Sequence, residues 1–400
     1  MRILQICSKF PFPANDGGNI AILKLTEGFL QLGHQVTILA ISTHKHPFNK
    51  HAIPSTFKNK IDIHHVPINT NINLFKAFTI FFFSKIPYNL QRFKSSRFEK
   101  KLKRLLQNQT FDIIQLEGLY TALYTDIIKR YSQSVLAMRA HNVEYIIWKK
   151  RAMFESHFFK KIYFRHLAKR MERFETMLLN KYDLLIPISQ ADSDIFINKG
   201  CTIPIHIVPC GYNPTEIYHS NKNFKQVSLF FIGALDWIPN QEGLLWFLDH
   251  VWNEIMGINP NSRLTIAGRN APQKFVKKIM RTGVHYVGEV DDAKQFITGH
   301  QVMIVPLFSG SGMRVKIIEG MALGKTIIAT PLAVEGINCE NNKHIFIANS
   351  KDIFLLYINN ILRNPDLIYE IGKNANNLIR KQFDNFIIVE QLTSFYKKFL

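Results

Sequence analysis

Ile304-Val-Pro-Leu-Phe-Ser-Gly-Ser-Gly-Met-Arg-Val-Lys-Ile-Ile-Glu-Gly-Met-Ala-Leu-Gly-Lys-Thr-Ile-Ile-Ala-Thr330 is the stretch on which the reading of the fold turns. An apolar run ends at Pro306, as a short buried strand does. A loop of small residues, Ser309-Gly-Ser-Gly312, follows it. Apolar residues at helical spacing predict a helix over Val315–Leu323, with an opening at about Met313. Gly324 stops that helix, and Thr326–Ala329 begins a second strand. Strand, crossover helix and strand in this order imply a parallel sheet.

The same stretch has a chemical reading. Glycines let backbone N–H groups approach an anion, and a helix N-terminus adds about half a positive charge. Arg314 and Lys316 add two formal charges beside it. Together these form a cradle for a diphosphate. Glu319, placed two turns into the expected helix, is too deep to face a phosphate. Its carboxylate can accept two hydrogen bonds from a ribose diol. A Gly-Ser-Gly loop alone is a weak signal, and Glu319 alone reads equally as a solvated helix residue. The order of loop, basic pair, carboxylate and second strand is more specific.

Working outward, the pattern repeats. Val227–Ile232, Leu264–Ala267 and Val284–Val287 read as strands, and Leu244–Glu254 and Gln273–Arg281 as helices. The first half alternates likewise, with strands at Ile3–Ile6, Val36–Ile41, Ile61–Val66, Ile113–Leu116, Val135–Met138 and Leu184–Ile188. Its helices fall at Asn19–Leu32, Arg97–Gln107 and roughly Lys150–Asn180. The fold class is therefore α/β, with two doubly wound, Rossmann-like domains. Ile207-Val-Pro-Cys-Gly-Tyr-Asn-Pro214 is rich in turn formers and reads as a hinge. It divides a domain of residues 1–206 from one of 215–384. Two domains also suit a chain of 400 residues. Parallel sheets bind ligands at the carboxyl ends of their strands, so facing sheets are expected to enclose a cleft.

Two other strand-end segments qualify as site candidates. Asn15-Asp-Gly-Gly-Asn-Ile20 follows the first strand and opens a helix, with Gly17 and Gly18 at its start. Met138-Arg-Ala-His-Asn-Val-Glu144 follows another strand and presents His141. Either segment also reads as a plain structural turn. Glu117 and Glu144 are candidates for a base. Ser189 reads as a helix-opening residue with a structural role.

Composition limits the classes. At 46% hydrophobic and 20% charged residues, the chain is a folded protein rather than a disordered one. Four scattered cysteines without a C-x-x-C spacing argue against a metal site and fit a reducing compartment. No run reaches the ~18 apolar residues of a membrane span, so a cytoplasmic location is expected. The net charge of +20 is uneven. Residues 1–205 hold 30 Lys and Arg against 14 Asp and Glu, and residues 206–400 hold 20 against 16. Gln91–Gln107 holds Arg92, Lys94, Arg97, Lys100, Lys101, Lys103 and Arg104, and Trp148–Arg173 holds nine Lys or Arg interleaved with aromatic residues. These basic stretches read either as solvated helix faces or as attraction to an anionic membrane surface. No nucleic-acid recognition module is present, so nucleic acid is not an expected partner.

Ile304–Gly336 resembles the donor-binding stretch of retaining glycosyltransferases of family 4 (glycosyl transferases group 1), which have the GT-B fold. Phe231-Ile-Gly-Ala-Leu-Asp-Trp-Ile-Pro-Asn-Gln241 is similar to the first strand and loop of that family's C-terminal domain. Leu264-Thr-Ile-Ala-Gly-Arg-Asn270, Val284-His-Tyr-Val-Gly-Glu-Val290 and Pro331-Leu-Ala-Val-Glu-Gly336 match further blocks. The resemblance is strong over about 227–340 and weaker before it. It implies transfer of a sugar from a nucleotide-diphosphate donor, with retention and without a metal or other cofactor. The implied donor site comprises Gly17, Gly18, Gly233, Arg269, Ser311, Gly312, Met313, Arg314, Lys316 and Glu319. His141 would meet the donor sugar or position the acceptor. The basic and aromatic stretches of the N-terminal half point to a glycan or lipid-linked acceptor hydroxyl, as in bacterial surface polysaccharide assembly, with peripheral attachment to the inner face of the membrane expected. The family's C-terminal helix, here about 385–400, is expected to pack back on the N-terminal domain.

The chain departs from this pattern in two places. The family commonly has two glutamates eight residues apart, and the first position here is Ser311. Its first C-domain loop often carries Arg and Lys, where this chain has Ala234 and about Pro239. Arg314 and Lys316 are expected to supply that missing charge. Another GT-B chemistry, such as epimerisation or inverting transfer, and an inactive binding scaffold remain the alternatives.

Overall fold

The computed structural model describes residues 1–14, 16–71, 73, 79, 84, 86–213, 227–310 and 313–400. Its chain divides into two compact units. The first comprises Met1–Gly211 with Asn385–Leu400, and the second comprises Tyr212–Asp384.

The first unit contains a parallel sheet of β1 (Arg2–Cys7), β2 (Gln35–Ser42), β3 (Ile61–Pro67), β4 (Ile113–Glu117), β5 (Val135–Ala140) and β6 (Leu184–Pro187). Their order is β3-β2-β1-β4-β5-β6. The central strands are buried along nearly their whole length, as their continuous apolar runs require. One apolar cluster lies on each face of the sheet. Helix Asn385–Lys397 joins one of them through Val389, Leu392 and Tyr396. It packs on helix Gly17–Gln31 at Gly28, where an added Cβ would lie 2.5 Å from a Val389 methyl. Asn385 Nδ2 also donates to the Lys24 carbonyl at 2.8 Å.

The second unit contains β7 (Ser228–Ile232), β8 (Arg263–Ala267), β9 (Val284–Gly288), β10 (Val302–Val305), β11 (Thr326–Ala329) and β12 (Phe346–Ile347). The order is β12-β11-β10-β7-β8-β9, again all parallel. In both sheets the order reverses at the first strand of the unit, the place where doubly wound sheets open toward ligands.

Two expected boundaries shift. The basic helix expected over roughly Lys150–Asn180 is two helices, Glu144–Phe154 and Phe158–Leu178, broken at Glu155–His157. The helix expected from Leu244 starts at Ile238, with Pro239 in its first turn, where a missing N–H costs nothing. The helix of the opening stretch runs Val315–Ala322, so of its two expected starts, Met313 and Val315, the later one forms. Arg314 has φ −90° and ψ 89°, so the extended loop continues through it. Glu319 therefore lies little more than one turn into the helix rather than two.

Candidate active site

In the first unit, the carboxyl ends of β1, β4 and β5 carry the two expected strand-end segments and Glu117. Asp16 caps helix Gly17–Gln31 by accepting from Asn19 N at 3.0 Å. Its carboxylate also pairs with Lys9 Nζ at 2.6 Å. Gly18 stands beside this pair, 3.3 Å from Asp16 Oδ1 measured from where a Cβ would be. Gly17 is the first residue of the helix. Asp16→Ala is expected to cost about 1 kcal/mol by loss of the cap, read as a lower urea midpoint at unchanged slope.

One strand over, β4 ends at Glu117, which is fully buried. His141, just past the end of β5, meets Glu117 Oε2 through Nε2 at 2.8 Å. Gly118 turns the chain directly beneath this contact with φ +86°, a conformation that a side chain would strain. Arg139, on β5 and also fully buried, lies 3.8 Å from the same carboxylate oxygen. Gln5 Nε2 donates to Glu117 Oε1 at 3.0 Å, and Gln115 donates to the same atom. Thr26 donates to Gln5, and Tyr396 of the C-terminal helix to Gln115, each at 2.7 Å.

This network fixes charge and tautomer. Burial alone would raise the Glu117 pKa. The hydrogen bond from His141, the charge of Arg139 and the Gln115 amide outweigh burial and hold it below the usual carboxylate range. Burial keeps His141 below its ordinary value, against the pull of Glu117. The imidazole is thus neutral near pH 7, with its proton on Nε2 toward the carboxylate. Nδ1 is then an acceptor for a hydroxyl.

Glu144 takes no part in this cluster. It opens helix Glu144–Phe154, where burial raises its pKa to about 7. Glu175 caps the same helix by accepting from the backbone N–H groups of Glu144 and Tyr145 at 3.1 and 3.2 Å. Ser189 caps helix Gln190–Asn198 through Asp192 N, a structural role. At the carboxyl end of β3 a groove of about 730 Å³ is lined by Asn69, Asn71, Tyr88, Arg92, Lys94 and Arg97. The sequence marks Arg92, Lys94 and Arg97 as part of a basic stretch, but not the groove, because its lining comes from a loop and two separate helices.

In the second unit, the opening stretch folds against the loop after β7. Lys316 Nζ donates to Asn240 Oδ1 at 3.1 Å and to the Ile232 carbonyl at 3.3 Å. The ammonium stands 4.4 Å from the centre of the Phe231 ring. Gly233 leaves room for it: an added Cβ would lie 3.2 Å from Lys316 Nζ and 2.9 Å from Asn240 Nδ2. Arg314 lies over Trp237, its guanidinium carbon 5.6 Å from the ring centre. Gly310, at φ +107°, lies close to both. A Cβ there would meet the indole at 3.0 Å and Arg314 Nη2 at 3.2 Å.

The loop itself is tied down. Asn240 Nδ2 donates to the Ala234 carbonyl at 2.8 Å, and Gln241 Nε2 to that of Leu235 at 2.6 Å. Arg269 contributes its carbonyl, which accepts from Leu235 N at 2.9 Å. Loss of water lowers the pKa of Lys316 to about 7, with Arg314 adding to the shift. Arg314 falls to about 10 by burial, against the opposing charge of Glu335, and stays charged at neutral pH. Glu319 is half-buried on the same helix, and Met313 precedes Arg314 in the extended loop. Ser311 and Gly312 lie outside the described residues.

The sequence between Gly233 and Gln241 carries no Lys or Arg. The structure brings Lys316 to its first residue and Arg314 onto its tryptophan. Residues 15–216 match the model of Glycosyltransferase Family 4, and residues 226–364 match that of Glycosyl transferases group 1. The chain belongs to glycosyltransferase family 4. This family 4 glycosyltransferase is 23% identical over 402 aligned residues to an uncharacterized 44.6 kDa protein in the cps region of Klebsiella pneumoniae, covering 96% of this chain and 97% of that one. Among solved structures it is similar to HepE of Anabaena in complex with UDP and glucose, at TM-score 0.71 and 12% identity, covering 98% and 99% of the two chains. Sucrose-phosphate synthase from Thermosynechococcus elongatus gives a TM-score of 0.74 at 16% identity, covering 100% and 99%. These likenesses support the GT-B fold of the glycosyltransferase.

Proposed function

We propose that this glycosyltransferase takes its sugar from a nucleoside-diphosphate donor bound by the second unit and passes it to a hydroxyl of a glycan or lipid-linked acceptor. The observation that carries the reading is the delivery of Lys316 and Arg314 to a loop with no cation of its own. HepE has been crystallised with UDP and with UDP-glucose, which supports the donor class.

As the bond between the anomeric carbon and the diphosphate breaks, negative charge develops on the leaving group. Arg314, Lys316 and the Met313 and Arg314 amides are donors for that charge, and no metal or other cofactor is assigned. Glu319 accepts from the ribose diol. The Met313 amide takes over part of the sugar contact that a glutamate at position 311 would make. Transfer proceeds with retention: the acceptor oxygen bonds to the anomeric carbon on the face the diphosphate leaves, and the hydroxyl proton passes to a leaving phosphate oxygen. His141 Nδ1 accepts from a substrate hydroxyl. The basic groove at the end of β3 suits an acceptor that carries phosphate. Kinship with a cps-region protein supports a place in surface polysaccharide assembly, on the cytoplasmic side.

A thermal-shift screen with UDP, GDP, ADP, CMP and dTDP sugars tests the donor. A ligand at a hundred times its Kd adds about 2.7 kcal/mol to stability, so at least one is expected to raise the melting temperature clearly. A flat response to all of them would sink the reading. The Glu117–His141 pair is also the geometry of a general base, which favours inverting transfer as the second reading. NMR of the product anomer separates the two.

A further inference from the structure

We infer that the tip of the hairpin formed by helices Glu144–Phe154 and Phe158–Leu178 is a docking surface for an anionic phospholipid bilayer. Among the described residues, Met153, Phe158, Phe159, Ile162 and Tyr163 are exposed apolar side chains within a short span of chain. Phe158 and Phe159 are 68% and 74% exposed. Spacings of three and four put Phe158, Phe159, Ile162 and Tyr163 on adjoining helical faces. Phe158 and Phe159 meet edge to face, with ring centres 5.6 Å apart.

The tip rests on a packed base. Phe164, Leu167, Met171 and Phe174 are buried below it. Arg151 sits 4.6 Å from the centre of the Phe164 ring and 5.5 Å from that of Trp148, holding the two helices together. The apolar tip is therefore presented by an ordered element.

Charge identifies the occupant. From Lys149 to Lys169 there are seven Lys or Arg and one acid, Glu155. Lys149, Lys160, Arg165 and Lys169 are exposed, and the first turn of the second helix holds no acid. Aromatic residues ringed by cations match the headgroup layer of an anionic leaflet. A second copy of the same tip would bring like charges together, which disfavours self-association. Among the described residues no helix is long and apolar enough to cross a membrane. The surface thus lies on a bilayer without spanning it. The first helix begins three residues after His141 and is about 16 Å long at 1.5 Å per residue. A bilayer bound at the tip would hold lipid-linked hydroxyls close to that end of the sheet.

The test is co-sedimentation of the full chain with phosphatidylcholine vesicles and with vesicles in which about a third of the lipid is phosphatidylglycerol. Binding is expected to the anionic vesicles, at least about ten-fold above neutral ones, and to weaken in 0.5 M salt because the Debye length shrinks. Phe158→Ala with Phe159→Ala, and separately Lys160→Gln with Lys161→Gln, are each expected to weaken binding about ten-fold or more. Unchanged circular dichroism and melting temperature would show that the variants are folded. Absence of binding to anionic vesicles, or binding that both variants retain, would overturn the inference. So would a concentration-dependent dimer abolished by the Phe variant without vesicle binding. None of these readouts depends on transfer, so failure here leaves the donor proposal standing.

Discussion

Glu117→Ala is expected to lower stability by about 3–5 kcal/mol, and the melting temperature by on the order of 10 °C. The carboxylate is the shared partner of His141, Gln5, Gln115 and Arg139, and its removal strands all four. Arg139 suffers most. It is fully buried, its Nη1 donates to the Ala21 carbonyl at 2.9 Å, and its Nε and Nη2 have no hydrogen-bond partner among the described residues. Without Glu117 it becomes an uncompensated buried cation. Replacing both members by Met, Glu117→Met with Arg139→Met, is expected to recover much of the loss, because neither charge is then desolvated alone. Thermal melting of the three proteins checks this. A Glu117→Ala protein as stable as the parent would show that the network carries no net stability.

The pH dependence follows from the same pair. Glu117 has a folded pKa below its ordinary value of 4.5. Its ionised form stabilises above that value, and the contribution is lost as pH falls through the folded one. His141 is also lowered, from 6.5, mainly by burial. The unfolded chain binds that proton first, so stability begins to fall as pH drops below about 6.5. Both groups act in the same direction, toward weakening in acid.

Much of the fold was legible from the alternation of apolar strands and helical periods. The six expected strands of the first half all form, and the βαβ reading of Ile304–Ala329 is met by β10, helix Val315–Ala322 and β11. The break at Glu155–His157 was not legible, because basic and aromatic residues continue at helical spacing across it. The polar network in the first unit left a faint signal. Gln5, Gln115, Glu117 and Arg139 are polar residues inside strands that are otherwise apolar. Parallel register sets Gln5 beside Gln115 and Glu117 beside Arg139, which sequence alone does not give. In the second unit, the arrival of Lys316 at Asn240 depends on how two separate βα loops pack together. The residues lie 76 positions apart, so only the fold shows them as partners.

That arrival supports the second large effect. Lys316→Met and Arg314→Ala are each expected to lower kcat/KM for the donor by about 10²–10³, the usual loss when one fixed donor to developing charge is removed. Lys316→Met is expected to leave stability unchanged or raised, because a desolvated amine gives way to an apolar chain of similar length. This separates a role in chemistry from one in folding. The pKa of Lys316 adds a second, independent readout. It stands at about 7 without ligand, so the amine is largely neutral above that pH. The unfolded chain keeps its proton up to about 10, and stability should therefore rise between pH 7 and 10, a slope that Lys316→Met removes. A bound diphosphate favours the charged amine and draws a proton in. Affinity for the nucleoside diphosphate should then weaken by up to about ten-fold per pH unit above 7, until the pKa of the complex is reached. Calorimetry in two buffers of different ionisation enthalpy would register that proton uptake directly. With Lys316→Met both the uptake and the pH slope should vanish. If they persist, the titrating group that meets the diphosphate is not Lys316.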